Sequence, residues 1–488
     1  MPTTSMKRRS SSRSQLLSTP KLTEARSSSS THQRQINSNS HWRNAVKHSK
    51  FNYDAIVIGG GFAGVIACRD LSEQGHSVLL LEASDRLGGR TWSKHSTVGT
   101  YEGVLELGGQ WVWPEKQVNM MAEIKRYGFT LTHSATPESY PTFLAGAHNP
   151  GPLPIPLEEV YDFERAAFKI LADAHRINPG IPLDQQNVED LDISYGEYLD
   201  NLELGAATRG WFTFFGSVFT GRYAEEISAL GPLSFIAQMD YSLIRAWGVL
   251  DEYIVEGTSA LIKAIAADSN AEIRYETPVA RVVQDDEGVS LTTVAGETFT
   301  ARTAIIATPL AGWAGIEFDP PLSDAKHQAS RERHMAYAVK ALMQVKNAPR
   351  FPYLLADAAH AGGAILLCAE HDLGDDGQMM GGFYINHQER EDRFGADFAG
   401  VERFVKTLCP EAELVDFQAH EWAADPWAGG FIAYKPGRLS TSHAALSTPE
   451  QHLYFATADI ATTFMTWMEG ALETGKKAAV DAHRQLTQ

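Results

Sequence analysis

Tyr53-Asp54-Ala55-Ile56-Val57-Ile58-Gly59-Gly60-Gly61-Phe62-Ala63-Gly64 is the stretch on which the fold turns. Residues 54–58 form a short apolar run ending in glycines, the pattern of a buried strand. Residues 63–74 have helical spacing, and Gly75 is a natural terminator. Residues 77–81 read as a second apolar strand. Strand, helix and strand of these lengths make a βαβ unit with a parallel pair. The glycines fall as GxGxxG at the strand-to-helix turn. Gly59 permits the tight turn, Gly61 lets a pyrophosphate approach the backbone, and Gly64 lets the helix pack on the strand. The helix start, with Phe62 and Ala63, turns free N–H groups and a positive dipole end towards the phosphates. Glu82 ends the second strand 18 residues after Gly64, where an acid can accept hydrogen bonds from a ribose diol.

The next segment narrows the choice of dinucleotide. Glu82-Ala83-Ser84-Asp85-Arg86-Leu87-Gly88-Gly89-Arg90-Thr91 carries a second glycine pair, which a nicotinamide site does not require. It resembles the GG motif of two-dinucleotide-binding-domain flavoproteins. The resemblance implies FAD, with Ala83 beside the nucleotide and Arg90 near the flavin or its phosphates. The alternative for Asp85 and Arg86 is a solvated turn pair.

From here a family match extends over most of residues 53–488. Glu106-Leu107-Gly108-Gly109-Gln110-Trp111 resembles the loop that passes the flavin ring, and Val279-Ala280-Arg281-Val282 the segment whose backbone pairs with adenine. Ile316-Glu317-Phe318-Asp319-Pro320-Pro321-Leu322 resembles I-x-F-x-P-x-L, and Trp422 stands where a flavin-packing tryptophan is found. Phe455-Ala456-Thr457-Ala458-Asp459 and Trp467-Met468-Glu469-Gly470-Ala471-Leu472-Glu473-Thr474-Gly475 resemble the closing motifs. The chain is identified as a member of the flavin amine oxidases, of the monoamine oxidase group. It looks closer to the bacterial cyclohexylamine oxidases, fungal monoamine oxidases and pseudooxynicotine amine oxidases than to the mitochondrial animal enzymes.

The resemblance implies an aromatic cage, and Phe431 and Trp467 occupy its two places; the alternative for each is a core aromatic. It implies that Asp459 bonds the ribityl chain or phosphates, with a helix N-cap as the alternative, and that Met468 opens a helix aimed at the flavin. The animal enzymes attach FAD through a cysteine where this chain has Gly430, so non-covalent FAD is expected. The flavin-proximal lysine of many relatives is Gly315 here, and Lys340 does not replace it by spacing.

Composition bounds the rest. The net charge of −18 divides into +9 over residues 1–50 and −27 over the remainder, which argues against nucleic acid as partner of the folded body. No apolar run reaches the ~18–20 residues of a membrane span. Cys68, Cys368 and Cys409 lack CxxC spacing, so neither a disulfide framework nor a cysteine zinc site is expected; no metal is assigned. Residues 1–50, with thirteen serines, read as a disordered basic extension or a transit peptide, giving a cytoplasmic or an organellar location.

The expected architecture is α/β (α+β). A Rossmann-like FAD domain comprises 51–132, 252–312 and 420–488, and a mixed-sheet and helical substrate domain comprises 133–251 and 313–419. Helices are expected over 157–174, 194–202 and 224–246, and strands over 272–307, 335–347 and 364–386. The expected function is oxidative deamination of a primary, rather apolar amine by FAD and O2, giving carbonyl, ammonia and H2O2. The alternative is a related flavoenzyme of amino acids, polyamines or N-heterocycles, with O2 or a protein as electron acceptor. Homodimerisation is left open.

Overall fold

The computed structural model describes residues 51–149, 153–391 and 393–488. The expectation for residues 1–50 lies outside them, as do residues 150–152 of the Pro-rich connector. β1 (Tyr53–Ile58) leads into α1 (Phe62–Glu73) and returns as β2 (Val78–Leu81). β1 pairs in parallel with β2, Ala55 opposite Val78, and with Thr298–Ile306, Tyr53 opposite Ala301. Both faces of a central parallel strand are covered, which is why Ala55–Ile58 is continuously apolar and buried rather than alternating.

This first sheet runs in the order Glu272–Arg274, β2, β1, Thr298–Ile306, Val289–Thr293, Val279–Gln284, Glu317–Asp319, with Leu453–Phe455 also on Thr298–Ile306. Glu317–Asp319 was expected in the substrate segment 313–419. It instead extends the first sheet, parallel to Val279–Gln284 with Arg281 opposite Glu317, because that edge offers open backbone groups. The second sheet orders Glu413–Glu421, Ala338–Lys346, Gln378–Ile385, Ala364–Asp372, Tyr353–Ala356, Thr142–Leu144, Ala147–Asn149.

One helical expectation needs correction, and one helix is added. The span 224–246 is not one helix but a 3-10 turn (Ala224–Glu226) and two helices (Leu230–Gln238 and Leu243–Trp247). Ser228 leaves to bridge Ser194, and Asp240 and Tyr241 both take left-handed backbone at φ 53° and 57°. Pro232 then suits the first turn of the restarted helix. The helix Ala206–Thr220 was not anticipated. Its aromatic, β-branched and glycine residues have modest helix propensity, and burial on nearly every side overrides that.

The C-terminal helix Met468–Leu486 lies on α1. Gly475 makes this contact: a Cβ there would stand 2.4 Å from the Ala63 carbonyl oxygen and 2.5 Å from Ile66 Cγ2. No helix among the described residues is long and apolar enough to cross a membrane.

Helix propensity alone gives Gly475→Ala a gain of about 1 kcal/mol. The close contact reverses that sign, and we expect a net loss of about 1–3 kcal/mol in urea unfolding; a more stable variant would refute the helix pairing.

Candidate active site

The parallel strands of the first sheet end at one level. The Gly59 N–H bonds Leu81 O at 2.8 Å, the Glu82 N–H bonds Arg274 O at 2.8 Å, and the Ala307 N–H bonds Ile58 O at 2.8 Å. Beyond these carboxyl ends, where open α/β sheets bind ligands, lies a cavity of about 1170 Å³ that continues to the second sheet. A single drug-sized ligand fills roughly 300–1,000 Å³, so the space admits a cofactor and a substrate together.

The cradle fits a dinucleotide. Gly59 has φ +105°, and a Cβ there would meet Ala307 O at 2.8 Å, so only glycine makes the turn. A Cβ on Gly61 would find nothing nearer than Gly88 O at 3.8 Å: the position is open, and its bareness admits a ligand to the backbone. Gly64 does not line the cavity; a Cβ there would stand 1.9 Å from Gly59 O, so it serves helix-on-strand packing. Phe62, Ala63, Ala83 and Val279 line the same cavity. Glu82 lines it too, buried, and accepts from Gly60 N at 2.6 Å, Ser84 N at 2.8 Å and Ser84 Oγ at 2.8 Å. A carboxylate has about four acceptor positions, so one remains for a ligand hydroxyl.

Further in, Arg90, Gly108, Gly109, Gln110, Trp111, Trp422, Phe431, Trp467 and Met468 all line the same space. Trp422 is fixed by its Nε1–H on Leu107 O at 2.8 Å. Asp459 is the exception. It is fully buried behind the wall, where Oδ1 accepts from Arg90 Nη1 at 2.5 Å and Oδ2 from Leu310 N at 3.0 Å. It therefore orients Arg90 rather than touching the cavity, and it is not the cap of the C-terminal helix, whose N-cap is Trp467.

The inner wall comes largely from residues that sequence reasoning missed. Ser217, Val218 and Phe219 come from the unanticipated helix, and Leu250 joins them. Ala338, Lys340, Ile365 and Phe383 come from the second sheet. Trp467 stacks on Phe235 at 5.5 Å and lies 6.5 Å from Phe219.

Lys340 is the lysine that the second sheet gives this wall. Spacing set it apart from Gly315, yet both line the cavity. Its Nζ donates to Gln110 Oε1 at 2.5 Å and Gly108 O at 3.2 Å, 4.8 Å from the Trp111 ring centre. Burial pushes its pKa down, with Glu370 and Glu106 acting in the opposite direction. The available signal was a lysine inside a largely apolar, buried strand.

Phe431 is positioned by a short antiparallel contact. The Ala336 N–H bonds Phe431 O at 2.8 Å, the Ala433 N–H bonds His334 O at 2.9 Å, and His334 Nδ1 donates to Ala433 O. Desolvation lowers the His334 pKa to about 4.

A dinucleotide cradle opening into an aromatic chamber defines a flavoenzyme of the amine-oxidising class, and the comparisons agree. The family model described as flavin containing amine oxidoreductase matches residues 62–483. The chain belongs to this family, and it is a flavin-dependent amine oxidoreductase. It is 32% identical to (S)-6-hydroxynicotine oxidase of Paenarthrobacter nicotinovorans, covering 87% of this chain and 98% of the relative. It is 29% identical to pseudooxynicotine dehydrogenase of a Pseudomonas species (88% and 86% covered) and 27% identical to flavin-containing amine oxidase B of Homo sapiens (87% and 85%). Cyclohexylamine oxidase from Brevibacterium oxydans shares the fold, with TM-score 0.75 at 24% identity over 89% of this chain and all of that one.

The lowered His334 pKa means that the folded state favours the neutral ring. Its contribution is therefore complete above the unfolded value of about 6.5 and is lost as pH falls towards 4. Between pH 7 and 5 we expect His334→Gln to lose roughly 1–2 kcal/mol less stability than wild type in urea unfolding.

Proposed function

We propose that this protein is a non-covalent FAD-dependent oxidase of a primary, rather apolar amine. The observation that carries this reading is the inner wall, where Phe431 and Trp467 share one chamber with aliphatic and aromatic side chains and with Lys340, while the carboxylates stand elsewhere in the lining. The carboxylates lining the cavity are Glu82, Asp85, Glu276 and Asp425, none of them on the helix or sheet that builds that wall. A second ammonium on the substrate would find no counter-charge there, which disfavours polyamines.

Non-covalent binding is supported by the cysteines. Cys68, Cys368 and Cys409 are all buried, and none lines the cavity. Gly430 has φ +78°, and a Cβ there would stand 2.7 Å from Ala336 O.

When bound, FAD supplies the acceptor for two electrons from the carbon–nitrogen unit. The cofactor would be held by the glycine turn, Glu82, Arg90, Val279 and Trp422. Phe431 and Trp467 orient the amine, a ring face being worth ~0.5–2 kcal/mol to a cation. The apolar surroundings favour the neutral amine, whose lone pair assists loss of the adjacent hydrogen. The N-terminal end of Met468–Leu486 offers a positive dipole end to negative charge in the cavity. Overall, the primary amine, dioxygen and water become the carbonyl compound, ammonia and hydrogen peroxide in equal amounts. In domain terms, we read 51–132, 252–312 and 420–488 as the FAD-binding part, with Glu317–Asp319 added to its sheet.

Relatives named for nicotine and pseudooxynicotine dehydrogenation favour one second reading: an N-heterocyclic amine, with a protein as electron acceptor.

An aerobic screen of cyclic, aliphatic and aromatic amines should show amine-dependent H2O2; activity only with an added cytochrome would select the second reading. Trp467→Ala should lower kcat/KM about 3- to 30-fold while the flavin absorbance per protein stays unchanged; flavin loss with a normal rate per flavin would remove Trp467 from the cage. Butylamine should exceed putrescine in kcat/KM by about tenfold or more, and Lys340→Met should narrow that ratio by relieving charge repulsion.

A further inference from the structure

Lys340 Nζ is buried, and the two acceptors that hold it are uncharged. A buried ammonium without a counter-charge is strongly disfavoured, so the source of any compensation matters. The register of the second sheet identifies one. Lys340 is opposite Phe383 and Leu342 is opposite Gly381, so these four share a face. Cys368 is opposite Gly381 on the far side, and the strand then bulges between Ala369 and His371, at Glu370. A Cβ on Gly381 would stand 2.5 Å from Glu370 Oε1, so the carboxylate lies over Gly381 on that same face, in space the glycine leaves open. Glu370 Oε1 is buried and has no hydrogen-bond partner among the described residues.

We propose that Glu370 is a positioning residue for the amine-oxidising site: its carboxylate is the counter-charge that holds Lys340 as an ammonium in the cavity wall. The other titratable groups facing the pair are placed differently. Glu106 hydrogen-bonds Thr258 N at 2.6 Å and Thr258 Oγ1 at 3.1 Å, and burial pushes its pKa up to about 7. The Cys368 thiol is pushed up by burial and by Glu370. Tyr101 and Tyr253 feel the Glu370 charge and stay protonated. His371 lowers the Glu370 pKa, as Lys340 does, while its Nε2 is engaged with Tyr101 Oη at 3.1 Å. His420, opposite Lys340 on the neighbouring strand, pairs with Asp425 at 3.4 Å. Burial raises the Glu370 pKa, and Lys340 is the larger of the two opposing influences.

This inference rests on the reading of the cavity as the amine site, but its test does not require turnover. In urea unfolding of the flavin-loaded protein, Glu370→Gln should reduce the folded-to-unfolded ratio at least fivefold more in wild type than in Lys340→Met. Glu370→Asp should recover most of that loss. The visible flavin spectrum of wild type, followed against pH, should show a Lys340-dependent transition. Glu370→Gln should move it down by ~1 unit, and Lys340→Met should abolish it. Additive stabilities, or a transition unmoved by Glu370→Gln, would overturn the proposal. If Glu370→Gln alone fails to fold while Lys340→Met/Glu370→Gln folds, the counter-charge is supported; failure of both overturns it. An absence of amine oxidation with the coupling intact would instead remove the proposed function and leave this pair standing.

Discussion

The structure depends on how closely two backbones approach at the end of β1. A Gly64 Cβ would stand 1.9 Å from Gly59 O, and a Gly59 Cβ would stand 2.8 Å from Ala307 O. Helix, turn and neighbouring strand meet there without side chains between them. This contact sets α1 against the sheet, and with it the N–H groups that face the cavity. It also brings Thr308 and Pro309 from a distant segment of the chain to the same mouth. The C-terminal helix then locks against α1 through Gly475, which places Trp467 and Met468 at the inner end of the same cavity.

The two sheets contribute different chemistry to this space. The first supplies backbone groups and a held carboxylate, Glu82, suited to phosphates and a sugar. The second supplies hydrocarbon, aromatic faces and one lysine, Lys340. A cofactor held in this space would have polar partners from the first sheet and apolar ones from the second. That division suits an amine that must lose its charge before it reacts, because low polarity disfavours the ammonium form. Asp459 shows how far the support extends. It never reaches the cavity, yet it ties Arg90, Leu310 and Thr457 together beneath the wall.

Much of this was legible in the residues. The glycine turn, Glu82 and the apolar runs declare a parallel βαβ unit because each has a local physical requirement. The family motifs then locate Trp422, Phe431 and Trp467, and all three line the cavity. What was missed lacks a local signature. The helix Ala206–Thr220 carries residues that favour strands or breaks, and it is held by burial. Glu317–Asp319 changes sheet because of an open edge, which no three-residue sequence encodes.

By itself the sequence determined the half built on the glycine turn, since turns, caps and strand periodicity are short-range properties of the chain. Only the tertiary structure decided the wall opposite it. Lys340, Phe383 and Ser217 are far apart in the chain and line one cavity only through strand register and helix packing. Likewise, only folding placed Glu370 above Gly381 and turned Asp459 away from the cavity onto Arg90. Side-chain direction and the pairing of buried charges depend on which distant segments close around them, and local sequence does not carry that information.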